Sequence, residues 1–122
     1  MTKLEQLNEN WLAAWTAQDA DRLASFYTTN CRYFDAQLPG GLSGRDALRE
    51  RFAKLFELAP AMEYEADRIW PVEGGFCSRW LCTIRSGDVR QQLRGLGLVL
   101  LDADQICHNE IYSHAIQADF RS

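Results

Sequence analysis

The second half of the chain consists of four long extended segments separated by short turns, and this pattern constrains the fold more than any other feature. The segments span residues 62–70, 76–85, 89–101 and 105–116. Turn signals rich in Pro, Gly, Ser and Asp separate them at residues 71–75, 86–88 and 102–104. Because connections this short make neighbouring strands antiparallel, the sequence predicts a four-stranded meander.

Three amphipathic helices and one short strand are predicted before the meander. The patterns TKLE and SGRD begin the first and third helices with Thr2 and Ser43 as caps, Asp19 caps the second, and Pro60 closes the third. The apolar stripes at helical spacing comprise Leu4, Leu7, Trp11, Ala14 and Trp15, then Leu23, Phe26 and Tyr27, then Leu48, Phe52, Leu55 and Phe56. The order of elements indicates an α+β protein with helices packed on one face of a curved sheet.

Composition favours one domain over residues 1–122. The chain is 47% apolar and 25% charged, which is normal for a globular domain. A net charge of −4 with interspersed signs argues against nucleic acid as a partner. The sequence has no apolar stretch of about 20 residues and opens on the polar MTKLEQLNEN, so we expect no membrane association and a cytoplasmic location.

The four cysteines are Cys31, Cys77, Cys82 and Cys107, and they show no metal-ligand spacing. We expect them to be thiols that fill small apolar spaces, with Cys77 and Cys82 on opposite faces of one strand. The sequence therefore predicts no metal site.

Asp35 ends the short strand that precedes the predicted turn Pro39–Gly40–Gly41. In an extended chain Cys31, Tyr33 and Asp35 share one face, so an inward Tyr33 would bring Asp35 to the rim of the core. The alternative is that Asp35 only begins the turn, since Asp hydrogen-bonds well to nearby backbone amides.

Several motifs resemble the nuclear-transport-factor-2-like superfamily, and within it the SnoaL-like polyketide cyclases and ketosteroid isomerases. They are WLAAWTAQDADRLASFY, YFD, LSGRDALRERF, LRG and a final I-x-x-x-E-x-Y-x-H pattern, in an order that covers nearly the whole chain. The resemblance implies a cone-shaped, cystatin-like fold, with three N-terminal helices on a strongly curved antiparallel sheet. Such a cone contains an apolar cavity, and members of the superfamily either catalyse diverse reactions or only bind.

The resemblance also implies a role for Asp35. Aligned on YFDAQLPGGLSG, Asp35 falls where ketosteroid isomerases place the carboxylate that abstracts a proton. Two expected oxyanion donors are absent, because Trp11 and Gly97 stand near their positions. The indole N–H of Trp11 could donate instead, although a tryptophan on a helical apolar stripe is more often core. No Asp-Arg-Asp arrangement of an epoxide hydrolase is visible, but Arg94 beside Asp35 could mimic part of one.

The last strand offers a second candidate group. Strict alternation places Ile106, His108, Glu110, Tyr112 and His114 on one face. His114 stands where SnoaL-like cyclases often carry an inward aspartate, and an imidazole can transfer a proton near neutral pH. The alternatives are a hydrogen-bonded or exposed His114, a surface His108, and a Glu110 that faces water or pairs with an arginine.

We therefore expect a small enzyme without metal or organic cofactor. It would act by acid/base catalysis, as an isomerase, cyclase or hydrolase, on an apolar carbonyl compound, with Asp35 as base and His114 as acid or orienting group. A non-catalytic binding module and a dimerisation domain are the alternatives. The expected substrate-binding residues are Trp11, Trp15, Tyr27, Tyr33, Phe52, Phe56, Trp80, Arg94 and Tyr112. Leu96 is a further candidate for the apolar wall of the cavity.

A homodimer through the outer face of the sheet is also expected. The outer set of side chains is partly apolar and, depending on register, includes Leu98, Leu100, Cys107 and Ile111. An exposed apolar sheet face of this kind normally contacts a partner.

Overall fold

Residues 1–116 fold into three helices and a six-stranded sheet. The computed structural model describes residues 1–116; residues 117–122, which the predicted domain includes, lie outside the described part. The helices are α1 (Lys3–Ala17), α2 (Ala20–Ala24) and α3 (Arg45–Leu58). The strands are β1 (Tyr27–Asp35), β2 (Leu38–Ser43), β3 (Ala61–Val72), β4 (Gly75–Ser86), β5 (Val89–Asp102) and β6 (Gln105–Ile116).

The sheet has the strand order β2-β1-β6-β5-β4-β3. The predicted meander from β3 to β6 is confirmed, since each consecutive pair is antiparallel. β1 lies parallel to β6 and antiparallel to β2. Helix α1 packs on β3 and helix α3 on β1, so the helices cover the inner face of a curved sheet. The predicted α+β cone is confirmed. Within residues 1–116, none of the helices has the length and apolar character that crossing a bilayer requires.

Strand β2 corrects the prediction of a turn at Pro39, Gly40 and Gly41. These residues lie in an edge strand that pairs with β1, and the turn itself is confined to residues 36–37. Proline and glycine are tolerated in an edge strand, because one side of the strand needs no ladder hydrogen bonds. Turn-forming residues at this position therefore did not exclude a strand.

The predicted helix caps are confirmed at two of three positions. Thr2 and Glu5 form the predicted capping box, and the side chain of Asp19 accepts a hydrogen bond from the backbone N–H of Arg22. The predicted cap at Ser43 is wrong. Gly44 begins α3 with a φ of 99° and no side-chain cap, a backbone conformation that glycine adopts without strain.

The predicted second helix also ends early. Helix α2 stops at Ala24, with Leu23 buried beneath it, and Tyr27 begins β1 instead of continuing a helical stripe.

Aromatic side chains fill the space between the helices and the sheet. Trp15 packs edge-on against Phe52 with ring centroids 5.1 Å apart, and both side chains are buried. Trp80 lies over Gly95 of the neighbouring strand, where a Cβ atom would overlap the indole ring. Glycine at position 95 therefore makes room for a tryptophan on the inner face of the sheet.

A β-bulge at Cys107 changes the alternation of side chains along β6. His108 pairs with Leu100 and Ile106 pairs with Leu101, so Cys107 has no partner in the register of β5. An extra residue of this kind reverses the face on which every later side chain lies. The predicted common face of Ile106 and His108 is therefore wrong.

The four cysteines are free thiols. Cys31 and Cys82 are buried, whereas Cys77 and Cys107 are half-buried. The prediction that Cys77 and Cys82 lie on opposite faces of β4 is confirmed. Cys82 belongs to the core, whereas Cys77 faces a groove on the other side of the sheet.

Candidate functional site

A cavity of about 270 Å³ lies between the helices and the inner face of the sheet. Its aromatic wall consists of Trp11, Trp15, Tyr33, Tyr64 and Trp80. Leucine, isoleucine and methionine side chains complete the apolar lining, and polar groups come from Asp35, Gln37 and Ser113. An apolar cavity with a few polar groups is typical of a small-molecule site.

Asp35 both lines this cavity and begins the turn. Its Oδ1 accepts hydrogen bonds from the backbone N–H groups of Gln37 and Leu38, at 2.9 and 3.1 Å. Its Oδ2 accepts a hydrogen bond from the hydroxyl of Tyr33 at 3.0 Å. The two interpretations of Asp35 are thus compatible, because the turn amides fix one oxygen while the other contacts only side chains.

Arg51 is the cation beside Asp35. Its Nη2 lies 3.3 Å from Oδ2 of Asp35 and 3.0 Å from Oε1 of Gln37. The side chains are only partly exposed, 26% for Arg51 and 19% for Asp35. Nε of Arg51 is buried and has no hydrogen-bond partner among the residues that the structure describes. This ion pair fixes the orientation of the Asp35 carboxylate.

The indole N–H of Trp11 is already engaged. It donates to the hydroxyl of Tyr27 at 3.2 Å, and that hydroxyl donates to Oδ1 of Asn109 at 2.8 Å. Asn109 in turn donates to the backbone carbonyl of Leu98. The ring of Trp11 lines the cavity, but its N–H belongs to a buried hydrogen-bond chain, so it is not available to an oxyanion.

Burial keeps the phenols of this region protonated. Desolvation raises the pKa of Tyr33 well above its usual value of 10.0, and the charges of neighbouring groups, including Asp35, add to the effect. Desolvation likewise raises the pKa of Tyr64, with Cys82 contributing. At neutral pH both hydroxyls are therefore neutral donors in the cavity wall.

His114, Arg94 and Tyr112 lie on the opposite face of the sheet. They line a groove of about 500 Å³ together with Trp70 and Leu96. His114 is exposed and its Nδ1 lies 3.1 Å from the backbone carbonyl of Ala115. The expected convergence of His114 and Asp35 is wrong, because the bulge in β6 points residues 111 and 113 inward instead.

Glu110 forms its own cluster on the outer face. Its carboxylate accepts a hydrogen bond from the hydroxyl of Tyr112 at 2.6 Å, and its other oxygen lies 2.6 Å from Nε2 of His108. The hydrogen bonds from Tyr112 and then His108 lower the pKa of Glu110. This carboxylate pairs with a histidine on its own strand and not with an arginine across the sheet.

Sequence similarity assigns this fold to a family. A model of the SnoaL-like domain matches residues 8–109, which include Asp35 and most of the cavity wall. The chain belongs to the SnoaL-like domain family. Among curated proteins, none matches this sequence significantly.

Solved structures share the fold of this SnoaL-like domain at low identity. A hypothetical protein with a ketosteroid isomerase-like fold from Catenulispora acidiphila, in complex with trimethylamine, is 14% identical with a TM-score of 0.77, over 88% of this chain and 84% of that one. An NTF2-like protein from Anabaena variabilis is 14% identical with a TM-score of 0.78, over 92% and 87%. An LEH-like epoxide hydrolase from M. tuberculosis is 16% identical with a TM-score of 0.73, over 89% and 80%.

Three expected binding residues belong to the core of the SnoaL-like domain and not to the cavity lining. Tyr27 and Phe52 are fully buried, and Phe56 packs against Trp15 and Phe52. Their rings support the cavity wall from behind. Trp11, Trp15, Tyr33 and Trp80 line the cavity, and their contact with a substrate stays a prediction.

Two residues of the site are absent from the sequence-based predictions, namely Tyr64 in the cavity lining and Arg51 beside Asp35. Arg51 lies three residues after Leu48 and four before Leu55, which places it on the apolar stripe of α3. Alternation along β3 puts Tyr64 on the same face as Met62. Within residues 1–116, no three His, Cys, Asp or Glu side chains come together as a metal ion would require.

Proposed function

We propose that this SnoaL-like domain is an enzyme that moves a proton on an apolar, carbonyl-containing small molecule bound in the cavity. The observation that carries the proposal is the position of Asp35, a carboxylate in the wall of an otherwise apolar cavity. A base that removes a proton next to a carbonyl must be close to the substrate and partly desolvated. The expected chemistry is isomerisation or cyclisation.

Oδ2 of Asp35 is the atom to which we assign the proton. Oδ1 is held by two backbone amides, whereas Oδ2 contacts only the side chains of Tyr33 and Arg51. The C–H bond next to the carbonyl breaks, its proton moves to Oδ2, and the electron pair forms an enolate. Gln37 and Ser113 also line the cavity and carry N–H and O–H donors for the enolate oxygen. In an isomerisation, the same carboxyl returns the proton to another carbon.

The second candidate is a binding module that performs no reaction in the same cavity. It is favoured by the donors that already contact Asp35, namely two turn amides, a phenol and a guanidinium. A carboxylate engaged in this way is well held but has little remaining capacity to accept a substrate proton. The protein of similar fold from Catenulispora acidiphila was solved in complex with trimethylamine, which supports binding of a small molecule by this fold.

Exchange of substrate protons with deuterated water separates the two candidates, because it detects proton removal whatever the final product is. Enolisable ketones, lactones and polyketide-like acids are incubated with the protein in D₂O, and loss of α-proton signal is followed by NMR. We expect Asp35→Asn to slow the exchange of any active compound by at least about a hundredfold, the lower end for a general base. Asp67→Asn is the matched control, because Asp67 also pairs with an arginine but lies outside the cavity.

The outcome of this experiment distinguishes catalysis from binding. Asn can accept the same turn hydrogen bonds as Asp, so the variant should fold, which circular dichroism checks. An Asp35→Asn protein that exchanges substrate protons as fast as the parent would contradict the catalytic role. Compounds that bind without any accelerated exchange would favour the binding module.

We also propose that two copies of the chain associate through the outer face of the sheet. Leu98 and Leu100 lie on this face as expected, whereas Ile111 lines the inner cavity. Leu96 and Tyr112 add apolar surface there, 41% and 63% exposed. Sedimentation should give about twice the chain mass of 14.0 kDa, and a monomer at micromolar concentration would contradict the proposal.

A further inference from the structure

Five aromatic side chains line the cavity, and three of them are in contact with one another. The ring of Tyr64 lies between two tryptophans, with centroids 5.6 Å from Trp15 and 5.2 Å from Trp80. Trp11 and Tyr33 extend this wall on the helix side and toward Asp35. The face of an aromatic ring is electronegative and attracts a cation within about 6 Å of its centroid. The cavity is thus lined by five rings of the kind that attract cations.

The charge in the cavity lining is negative, as is the electrostatic potential at the face of an aromatic ring. Of the described residues that line it, Asp35 is the one with a full charge, and none is Lys, Arg or His. Arg51 contacts Asp35 but does not belong to the lining. A ligand in the cavity thus meets the carboxylate and not the guanidinium.

The scarcity of polar groups determines which cations fit. A primary ammonium needs three hydrogen-bond acceptors, and burying it without them is costly. A tertiary or quaternary ammonium presents alkyl groups instead, which pack against apolar and aromatic walls while the charge is attracted to the rings. The aliphatic part of the cavity lining suits the rest of such a molecule.

We propose that the ligand recognised by this cavity carries a small alkylated ammonium group, held by the aromatic wall with Asp35 as its counterion. The inference rests on the proposed function, because it concerns the same cavity. It narrows the substrate class from any apolar carbonyl compound to one that also bears a tertiary or quaternary amine.

A charged probe and its neutral isostere test the proposal directly. Choline and 3,3-dimethylbutan-1-ol have the same shape and differ by one charge, since a carbon atom replaces the nitrogen. We expect the parent protein to bind choline at least about tenfold more tightly, measured by calorimetry or ligand-observed NMR at one ionic strength. That ratio corresponds to about 1.4 kcal/mol.

Two pairs of variants identify the source of the preference. Asp35→Asn should lower the affinity for choline about fivefold or more and leave that for the alcohol unchanged, whereas Asp67→Asn should change neither. Tyr64→Leu should weaken choline binding more than alcohol binding, while Tyr64→Phe, which keeps the ring, should retain the preference for choline.

The binding of the two probes either supports or overturns the proposed ammonium recognition. Selective binding of choline that depends on Asp35 and on the ring at position 64 supports the proposal. Equal binding of the two probes, or tighter binding of the alcohol, overturns it and leaves the proposed proton transfer intact. Binding of neither probe at millimolar concentration also overturns it, whereas the proposed function fails only in the proton-exchange experiment with carbonyl compounds.

Discussion

Replacing Arg51 by methionine should destabilise the protein through the loss of its ion pair with Asp35. Exposed ion pairs contribute about 0.2–1 kcal/mol, and breaking a buried pair costs about 3–5 kcal/mol. The Asp35–Arg51 pair lies between these cases, because its side chains are 19% and 26% exposed. The 3.3 Å separation is also longer than the usual charge-assisted hydrogen bond. We therefore expect a coupling free energy of about 1–2 kcal/mol between the two side chains.

A double-mutant cycle measures this coupling. Urea unfolding of the parent, Arg51→Met, Asp35→Asn and the double variant gives four free energies of unfolding, from which the interaction is isolated. Arg49→Met is the control on the same helix, since its pair with Asp21 is 48% and 83% exposed. Arg49→Met should change the free energy of unfolding by less than about 0.5 kcal/mol. A coupling for Arg51 as small as that of an exposed pair would refute the view that Arg51 holds Asp35 in place.

Two further predictions concern the tyrosines. Tyr27→Phe leaves the indole N–H of Trp11 without its acceptor and Oδ1 of Asn109 without its donor, so urea unfolding should show a loss of about 2–4 kcal/mol. A loss below about 1 kcal/mol would mean that the buried hydrogen bonds of Tyr27 contribute little to stability. Burial raises the pKa of three tyrosines in the folded state, namely Tyr27, Tyr33 and Tyr64. Because the unfolded phenols ionise near 10.0 while the folded ones stay protonated, the contribution of these tyrosines to stability should be constant below that pH and fall above it. A free energy of unfolding that does not fall above pH 10.0 would contradict the burial effect.

The helices and the meander could be predicted because their signals are local. Apolar spacing in α1, the capping box at Thr2 and the short turns after Ala61 each act within a few residues, and the structure agrees with them. Strand β2 could not be predicted in this way. Its Pro39 and neighbouring glycines are typical of turns, and only pairing with β1 at the sheet edge makes them a strand.

The candidate site was predicted in part. Asp35 and the tryptophans of α1 and β4 reached the cavity because simple alternation and helical spacing place them there. His114 did not, because one extra residue at Cys107 reverses the faces of β6, and no residue type in that segment marks the bulge. The partner of Asp35 is Arg51 and not Arg94, a contact between a helix and a strand end that depends on tertiary packing.

Ligand binding in the cavity beside Asp35 can be followed through the indole N–H signals of the four tryptophans. Trp11, Trp15 and Trp80 line the cavity, whereas Trp70 lies in the groove on the outer face. A compound found active in the proton-exchange screen is titrated into ¹⁵N-labelled protein, with signals assigned by single Trp→Phe variants. The signals of the cavity tryptophans should shift with one common dissociation constant, while the signal of Trp70 should stay unchanged. Shifts confined to Trp70 would contradict binding in the cavity and place the binding site on the outer face of the sheet.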